Sequence, residues 1–335
     1  MPDIVAAIPP IARHRSIASR CGALRSWYAQ YGRHALPWRL TRDPYAILVS
    51  EVMLQQTQVD RVRSYWGAWM QRWPTAQALA RARRGSVMRA WAGLGYNRRA
   101  VYLHQFAQRV AGDVSWGEIF SYSYELASGS GSVEEWWDVV GRVRVLADGN
   151  GGGGRRAQKW SPSPAVLVEE GARTLEMLPG IGPYTSRALL AFAWNAPAPC
   201  VDTNIRRVLA HVIYRRPAIM ELPIAQIQKL AARVIPPDGG RTWNYALMDY
   251  GALVLPARRV PNQIKRVVVP FKNSSRYWRG RIVDVLRDHH RPLPPAVLRE
   301  RLGVFGECTE DIDALLASLI RDGIVALRGS GVRLA

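Results

Sequence analysis

The sequence predicts a mainly α-helical protein, and three observations lead to that prediction. Apolar residues recur at helical spacing in most segments between residues 24 and 255. Asp43 and Pro44 form a helix start, because aspartate caps the free N–H groups of a first turn and proline fits within that turn. Gly180 and Gly182 lie between two helical runs and are suited to the tight turn that would join them.

The composition is strongly basic. The chain has 335 residues, which is enough for two domains and a small third. Lysine and arginine number 46 against 26 aspartate and glutamate residues, so the formal net charge is +20. A charge of this sign and size is typical of proteins that bind nucleic acid, although a generally basic proteome would also produce it.

The cysteines and the apolar runs indicate the cellular compartment of the protein. Cys21, Cys200 and Cys308 are too far apart in sequence for a metal-ligand cluster or a disulfide framework, which favours a reducing cytoplasm. No apolar run is long enough to span a bilayer, so we expect no membrane partner and a cytoplasmic, nucleoid-associated protein. Residues 1–20 contain arginine but no secretory signal pattern, and we interpret them as a flexible N-terminal arm.

The helix that follows Asp43 carries a candidate acid. Residues 45–56 are apolar on nearly every side, so this helix should be buried. Glu51 shares a face with Ile47 and Leu48, and a carboxyl among such neighbours loses hydration, which raises its pKa. A raised pKa is what a general acid needs near neutral pH. The alternative is a glutamate at the helix margin, paired with an arginine.

The glycine turn has the sequence LPGIGPYT, over residues 178–185. Gly180 and Gly182 lack a Cβ, so their backbone allows a tight turn and the close approach of a phosphate. Pro183 suits the first helical position, and the N–H groups of that helix start would favour an anion. A connection between two helices with no ligand would have the same pattern.

Asp202 follows the second helix of this hairpin, in the sequence VDTN. Its carboxylate either caps the next helix, over residues 205–213, or faces a substrate in addition. The residues alone leave both roles open, and the cap is the commoner one.

Together, the hairpin, Asp202 and the segment SEVMLQQTQV over residues 50–59 resemble the helix-hairpin-helix DNA glycosylase superfamily. The resemblance is greatest to its adenine DNA glycosylase branch, and it covers residues 24–255 with one insert. It implies a two-lobed helix-hairpin-helix glycosylase core. It also implies that Glu51 protonates the target base, that Asp202 stabilises the sugar cation, and that Gln55 and Gln56 enter the duplex.

The same resemblance implies further contacts with DNA or substrate. The segment WAGLGYNRRA, over residues 91–100, is similar to a glycine-tyrosine turn that wedges into DNA. Tyr96 is then the intercalating residue, with core packing as the alternative, and Asn97 stands where relatives often have a second aromatic. The remaining implied contacts are Gly180, Gly182, Tyr184 and Asn204. Tyr184 occupies the position of the Schiff-base lysine of bifunctional relatives, which implies a monofunctional enzyme.

No cofactor is predicted. The segment MDYGALV, over residues 248–254, resembles the stretch that leads into an iron-sulfur cluster loop with four closely spaced cysteines. Leu255 stands in place of the first cysteine, and the next cysteine is Cys308. Because cluster ligation needs those thiolates, we expect neither a cluster nor another metal.

Two regions lie outside this resemblance. Residues 113–163 hold nine of the 28 glycines and are interpreted as a flexible insert in a core that covers residues 21–270. Residues 271–335 should form a small winged-helix-like domain of three helices and a β-hairpin. Such domains bind either DNA or protein. Its first segment, RYWRGR, interleaves aromatic and basic residues in a manner suited to DNA backbone contact, or else it is a solvated basic linker.

The sequence therefore favours a monomeric DNA repair glycosylase. Its substrate would be double-stranded DNA with a mismatched or oxidised base pair, from which it removes adenine opposite guanine or 8-oxoguanine. Two alternatives stay open: a thymine glycosylase acting on G/T mismatches, and a catalytically degenerate DNA-binding protein.

Overall fold

The computed structural model describes residues 11–113, 116, 164–236, 239–255, 271–308 and 310–335. These residues are mainly helical, which confirms the predicted fold class. The helices that precede the insert are α1 (Ile17–Tyr31), α2 (Pro44–Leu54), α3 (Val59–Arg72), α4 (Ala76–Ala80), α5 (Arg84–Ala90) and α6 (Arg98–Ala111). Those that follow it are α7 (Pro164–Leu175), α8 (Pro183–Phe192), α9 (Thr203–Val208), α10 (Ile224–Ala232), α11 (Gly240–Leu253), α12 (Ser275–Arg287), α13 (Pro295–Leu302) and α14 (Ile312–Arg321). No helix within these ranges is both long and apolar enough to cross a membrane.

The chain forms two compact units that interleave along the sequence. The first unit combines Met1–Glu51 with Gly112–Arg259, and the second combines Val52–Ala111 with Val260–Ala335. The sequence predicted that the core ends at residue 270 and that a separate domain begins at residue 271. In the structure, the C-terminal elements belong to the same unit as α3 to α6. Local sequence patterns do not reveal such long-range pairing.

In the first unit, α11 packs against α1, α8 and α9. The ring of Trp27 on α1 meets the ring of Tyr250 on α11 edge to face, at a centroid distance of 4.9 Å. Burial of such large apolar rings is the main favourable contribution to a helical core.

Residues 11–20 differ from the flexible arm predicted for residues 1–20. Ile11 is buried, and α1 begins at Ile17, where the Ser16 side chain caps the first turn by accepting from the N–H of Ser19. The buried guanidinium of Arg20 donates to the Ile213 carbonyl across 2.8 Å. A cap and a long-range hydrogen bond therefore fix this segment, and the second of these leaves no local sequence signal.

In the second unit, three tryptophans form the centre of the core. Trp69 lies 4.8 Å from Trp73 and 5.6 Å from Trp91 between ring centroids, and both pairs are edge to face. The C-terminal part has the predicted winged-helix order. Helices α12 to α14 are followed by an antiparallel hairpin of β1 (Val325–Arg328) and β2 (Gly331–Leu334), and Leu293 adds an isolated bridge to Val332.

Most of the predicted insert lies outside the described residues, as do residues 256–270 of the basic segment.

Candidate functional site

Glu51 lies on the buried helix that the sequence predicted. Asp43 caps its start, since the carboxylate accepts from the N–H of Tyr45 across 2.9 Å. Residues 44–53 are all buried, and Glu51 itself is only 7% exposed. The sequence places a carboxyl in this apolar helix, and the fold removes that carboxyl from water.

The partner of Glu51 is a hydroxyl group and not an arginine. Tyr184 donates from its hydroxyl to Oε2 of Glu51 across 3.1 Å. Burial raises the pKa of Glu51 from 4.5 to about 7, and the hydrogen bond from Tyr184 partly opposes this rise. Glu51 forms no ion pair among the described residues. The alternative of an arginine-paired glutamate at the helix margin is therefore wrong.

The charge of Arg39 lowers the pKa of Glu51, but Arg39 is bonded to another carboxylate. Its guanidinium binds both oxygens of Asp249, at 2.6 and 2.9 Å, and Asp249 is fully buried. Arg33 adds a backbone and a side-chain bond to the same carboxylate, at 2.8 and 2.7 Å. The Arg39 guanidinium also stacks on the ring of Tyr245 at 4.2 Å. This network neutralises Arg39, and Glu51 remains without a counter-ion.

Asp202 is the N-cap of α9, and its carboxylate is held at both oxygens. Oδ1 accepts from the N–H of Ile205 across 2.7 Å, and Oδ2 accepts from the side-chain amide of Asn204 across 3.0 Å. Burial raises the pKa of Asp202, while these hydrogen bonds and the charge of Arg207 act against that rise. The donors favour the anion, so Asp202 and Glu51 have contrasting environments.

The side-chain amide of Asn204 donates a hydrogen bond to Asp202. In this structure Asn204 therefore orients that carboxylate. Arg207 completes the arrangement by donating to the Asn204 side-chain oxygen across 2.7 Å and to the Gly251 carbonyl across 2.6 Å. A Cβ at Gly251 would come within 2.8 Å of the Asn204 backbone oxygen. Sequence reasoning missed both Arg207 and Gly251, because their role depends on the packing of α9 against α11.

The charges of Glu51 and Asp202 affect the pKa values of the same groups in the first unit. The charge of Asp202 raises the pKa of Glu51, and both carboxylates raise the pKa values of Tyr184 and Cys200. The Cys200 thiol is fully buried and donates to the Arg187 carbonyl across 3.3 Å. An acid and an anion whose charges act on the same groups are the type of pair that cleaves a glycosidic bond.

The glycine hairpin connects α7 to α8 in the predicted way, with one correction. Gly180 has a left-handed backbone with φ of +79°, which explains glycine there. Gly182 instead has an extended backbone, with φ of −101° and ψ of −179°, and a Cβ would meet open space. The tight turn therefore requires only Gly180, and Gly182 keeps the approach to the start of α8 unobstructed. Pro183 occupies the first turn as predicted.

Arg187 connects the two helices of this hairpin. Its Nη2 donates to both oxygens of Glu169 at 2.8 Å. Its Nη1 donates to the Pro183 carbonyl at 2.9 Å and forms an ion pair with Glu176 at 3.6 Å. The Ser186 hydroxyl donates to Glu176 across 2.9 Å. These bonds tie α7 to α8, which fixes the turn at Gly180.

The remaining predicted contacts lie in the second unit. Gln55 and Gln56 are exposed directly after α2, and Gln56 has a left-handed backbone with φ of +57°. Tyr96 is 39% exposed, and its backbone is also left-handed, with φ of +47°. Because Tyr96 is exposed to this extent, it is not the core residue of the alternative interpretation.

Arg99 connects these two turns, and sequence reasoning missed it. Its buried guanidinium donates to the carbonyl oxygens of Gln55 at 2.6 Å and of Leu94 and Gly95 at 2.8 and 3.1 Å. It also donates to the carbonyls of residues 52 and 53. No carboxylate among the described residues pairs with it, and burial lowers its pKa to about 10. One cation thus sets the geometry of both exposed segments.

The chain does not fit a four-cysteine cluster, because the whole sequence contains only three cysteines. One of them, Cys200, lies buried with its thiol on backbone carbonyls. Within the described ranges, no three His, Cys, Asp or Glu side chains are grouped as metal ligands would be.

A helical fold with a glycine hairpin, a buried glutamic acid and a capping aspartate defines the class of helix-hairpin-helix DNA glycosylases. The comparisons with known proteins agree. A family model described as HhH-GPD superfamily base excision DNA repair protein matches residues 49–221, which is about half of the chain. The chain belongs to the HhH-GPD superfamily of base excision DNA repair proteins.

Individual relatives carry more specific names. The chain is 33% identical over 329 residues to an adenine DNA glycosylase of Mycolicibacterium smegmatis, and the aligned region covers 92% of this chain and 93% of that one. It is 34% identical over 249 residues to the Homo sapiens adenine DNA glycosylase, covering 71% of this chain and 36% of that one. A solved thermostable thymine-DNA glycosylase shares the fold, with a TM-score of 0.52 at 20% identity over 72% of this chain and 89% of that one.

Proposed function

We propose that this protein is a monofunctional DNA N-glycosylase that removes adenine paired with guanine or 8-oxoguanine. The observation that carries the proposal is the pair of carboxyl groups in contrasting environments. Glu51 is buried without a counter-ion and has a pKa near 7, whereas Asp202 is held by donors at both oxygens. The relatives named adenine DNA glycosylase support the choice of base.

The reaction begins with extrusion of the nucleotide. A base within the duplex is out of reach, and unstacking it costs a few kcal/mol, less at a mismatch. Phosphate binding at the start of α8, beside Gly180, offsets part of this cost, because the free N–H groups of a helix start attract an anion. Tyr96, Gln55 and Gln56 fill the space that the nucleotide leaves.

The chemical step then divides between the two carboxyl groups. Glu51 transfers its proton to a ring nitrogen of the adenine, so the bond between C1′ and N9 breaks with its electron pair moving to the departing base. The sugar is left as an oxocarbenium ion, which the Asp202 carboxylate stabilises. Water adds to C1′ and loses a proton, which restores Glu51 and completes hydrolysis.

Tyr184 supports the monofunctional assignment. A phenol forms no Schiff base with the sugar, and its hydroxyl is already bonded to Glu51. A lyase step that depends on a lysine at this position is therefore not available.

The deciding experiment is a single-turnover assay on duplexes that contain A opposite 8-oxoguanine, A opposite G, or T opposite G. We expect release of adenine from the duplexes with A opposite 8-oxoguanine and A opposite G. The duplex with T opposite G should stay intact. Release of thymine from T:G alone would favour the thymine glycosylase instead. The Asp202→Asn variant should keep mismatch binding and lose excision, and undiminished excision by this variant would reject the role of Asp202.

A further inference from the structure

The C-terminal domain contacts the glycine-tyrosine turn. The guanidinium carbon of Arg276, in the first turn of α12, lies 3.9 Å from the centre of the Tyr96 ring. Both residues belong to the second unit. This distance corresponds to a guanidinium stacked on an aromatic face, which is a favourable cation–π geometry.

Helix α12 is anchored beside this turn at its other end as well. Arg287 donates to the Asn97 side-chain oxygen across 2.9 Å and to the Met88 carbonyl across 3.2 Å. Arg89 donates in return to the Arg287 carbonyl across 3.2 Å. The helix therefore lies along the turn with contacts at both ends, and the position of Arg276 is fixed by more than its own side chain.

Tyr96 is itself held in a constrained conformation. Its left-handed backbone costs a non-glycine residue about 1 kcal/mol, so the surroundings must favour it. Trp91 donates to the Gly95 carbonyl across 2.9 Å, and Arg99 bonds to the same oxygen at 3.1 Å. The Tyr96 residue is 39% exposed. Arg276 stacks on its ring at 3.9 Å, and the Arg99 guanidinium lies 5.4 Å from the centre of the same ring.

Arg276 keeps its hydrogen-bonding capacity in this arrangement. The residue is exposed and forms no ion pair within the described part of the chain. The carboxylate at this end of the helix belongs to Glu310, which accepts from the Ser275 hydroxyl across 2.6 Å. A guanidinium that stacks on a ring through its face still presents N–H groups along its edge, and this is the geometry that binds phosphate oxygens.

The winged-helix part contains a second candidate helix for DNA contact, α14, but its charge does not suit that role. Asp311 and Asp313 are exposed at its start, and Asp313 is bound by Arg299. Carboxylates at that end would repel a phosphate backbone. The first turn of α12 is therefore the better candidate for contact with DNA.

We propose that Arg276 and Tyr96 act together as a DNA-binding pair. The guanidinium orients the tyrosine ring for entry into the base stack, and its free edge binds a phosphate of the same duplex. The inference rests on the proposed function for the identity of its ligand, duplex DNA with a mispair. The C-terminal domain thus supplies a residue to the DNA-binding surface of the second unit.

The test is a double-mutant cycle on the full chain, in the Asp202→Asn background so that the substrate is not consumed. Binding to a duplex with A opposite 8-oxoguanine is measured by fluorescence anisotropy at several salt concentrations for Arg276→Gln, Tyr96→Leu and the double variant. Arg276→Gln should weaken binding about tenfold and lower the slope of log K against log salt by about one. The double variant should bind little worse than Tyr96→Leu alone, because the two residues act as a unit.

Two further variants separate charge from stacking. Arg276→Lys should keep the salt slope and still lose most of the coupling with Tyr96, since an ammonium group lacks the planar face. Arg301→Gln removes an exposed arginine elsewhere in the same domain and should bind as the background does. Additive losses, or an effect of Arg276→Gln no larger than that of Arg301→Gln, would overturn the inference.

The outcome is independent of the base that the enzyme removes. If the parent chain releases adenine normally but the cycle shows no coupling, only the Arg276–Tyr96 inference fails. If no base is released while the cycle shows coupling, the proposed excision activity fails and the DNA-binding pair stands.

Discussion

The hydroxyl of Tyr184 donates to Oε2 of Glu51 across 3.1 Å, which joins the hairpin helix to the buried acid. This bond favours the carboxylate and therefore lowers the pKa of Glu51, against the larger effect of burial. The hairpin thus has a second role beyond the phosphate contact that we propose for it. It adjusts the pH range in which Glu51 keeps its proton.

The first prediction concerns the pH dependence of excision. In the proposed mechanism Glu51 must be protonated to act, so the single-turnover rate should be high below pH 7 and fall as pH rises through about 7. Tyr184→Phe removes a bond to the anion, which raises the pKa and should move the fall upward by about one pH unit. The measurement is the midpoint of the rate profile at saturating enzyme. A midpoint that moves downward would contradict this assignment of the bond.

The second prediction concerns stability. The pKa of Glu51 is raised by folding, so its favourable contribution is complete below 4.5 and is lost as pH rises through about 7. Glu51→Gln is neutral throughout and avoids this loss. At pH 8 the variant should be more stable than the parent by up to roughly 3 kcal/mol, and this difference should shrink to less than about 1 kcal/mol at pH 5. Urea unfolding at both pH values measures this. Equal pH dependence for both proteins would show that Glu51 is not buried as a titrating acid.

The sequence revealed the features that local chemistry determines. Asp43 and Pro183 mark helix starts by capping and by proline geometry, and the structure has both helices where they were predicted. The burial of Glu51 followed from its apolar neighbours. What the sequence did not reveal are contacts between residues far apart in the chain. Arg39 bonds to Asp249 across 210 positions, and nothing near either residue in sequence indicates the pairing.

The third prediction tests how α9 is positioned. A Cβ at Gly251 would lie 2.8 Å from both the Cβ and the backbone oxygen of Asn204. Gly251→Ala should therefore push α9 away from α11, cost about 1–3 kcal/mol of stability and reduce excision by displacing Asp202. Gly22→Ala is the matched control, because Gly22 lies on α1 and a Cβ there meets nothing within 4 Å. Equal behaviour of the two variants would count against this packing.

The fourth prediction concerns the buried cation of the second unit. Arg99→Met removes the guanidinium donors to the carbonyls of Gln55, Leu94 and Gly95, although Gly95 keeps its bond from Trp91. We expect a loss of about 2–4 kcal/mol in thermal or urea unfolding, together with weaker binding to mispaired DNA. Arg109→Met makes the same change at an exposed position of the same helix and should cost far less. If Arg99→Met were as stable as this control, Arg99 would not be organising the two turns.

The last prediction concerns iron. A four-cysteine cluster needs four thiolates, and this chain has three cysteines, one of which is buried among backbone carbonyls. A thiol with a raised pKa in such a site is a poor ligand, because a metal binds the thiolate. Protein produced in iron-depleted and iron-rich medium should therefore unfold at the same temperature, and a chelator should leave that temperature unchanged. Elemental analysis and the visible absorbance spectrum are the direct measurements. A brown protein with iron in stoichiometric amount would mean that ligands other than four cysteines hold a cluster here.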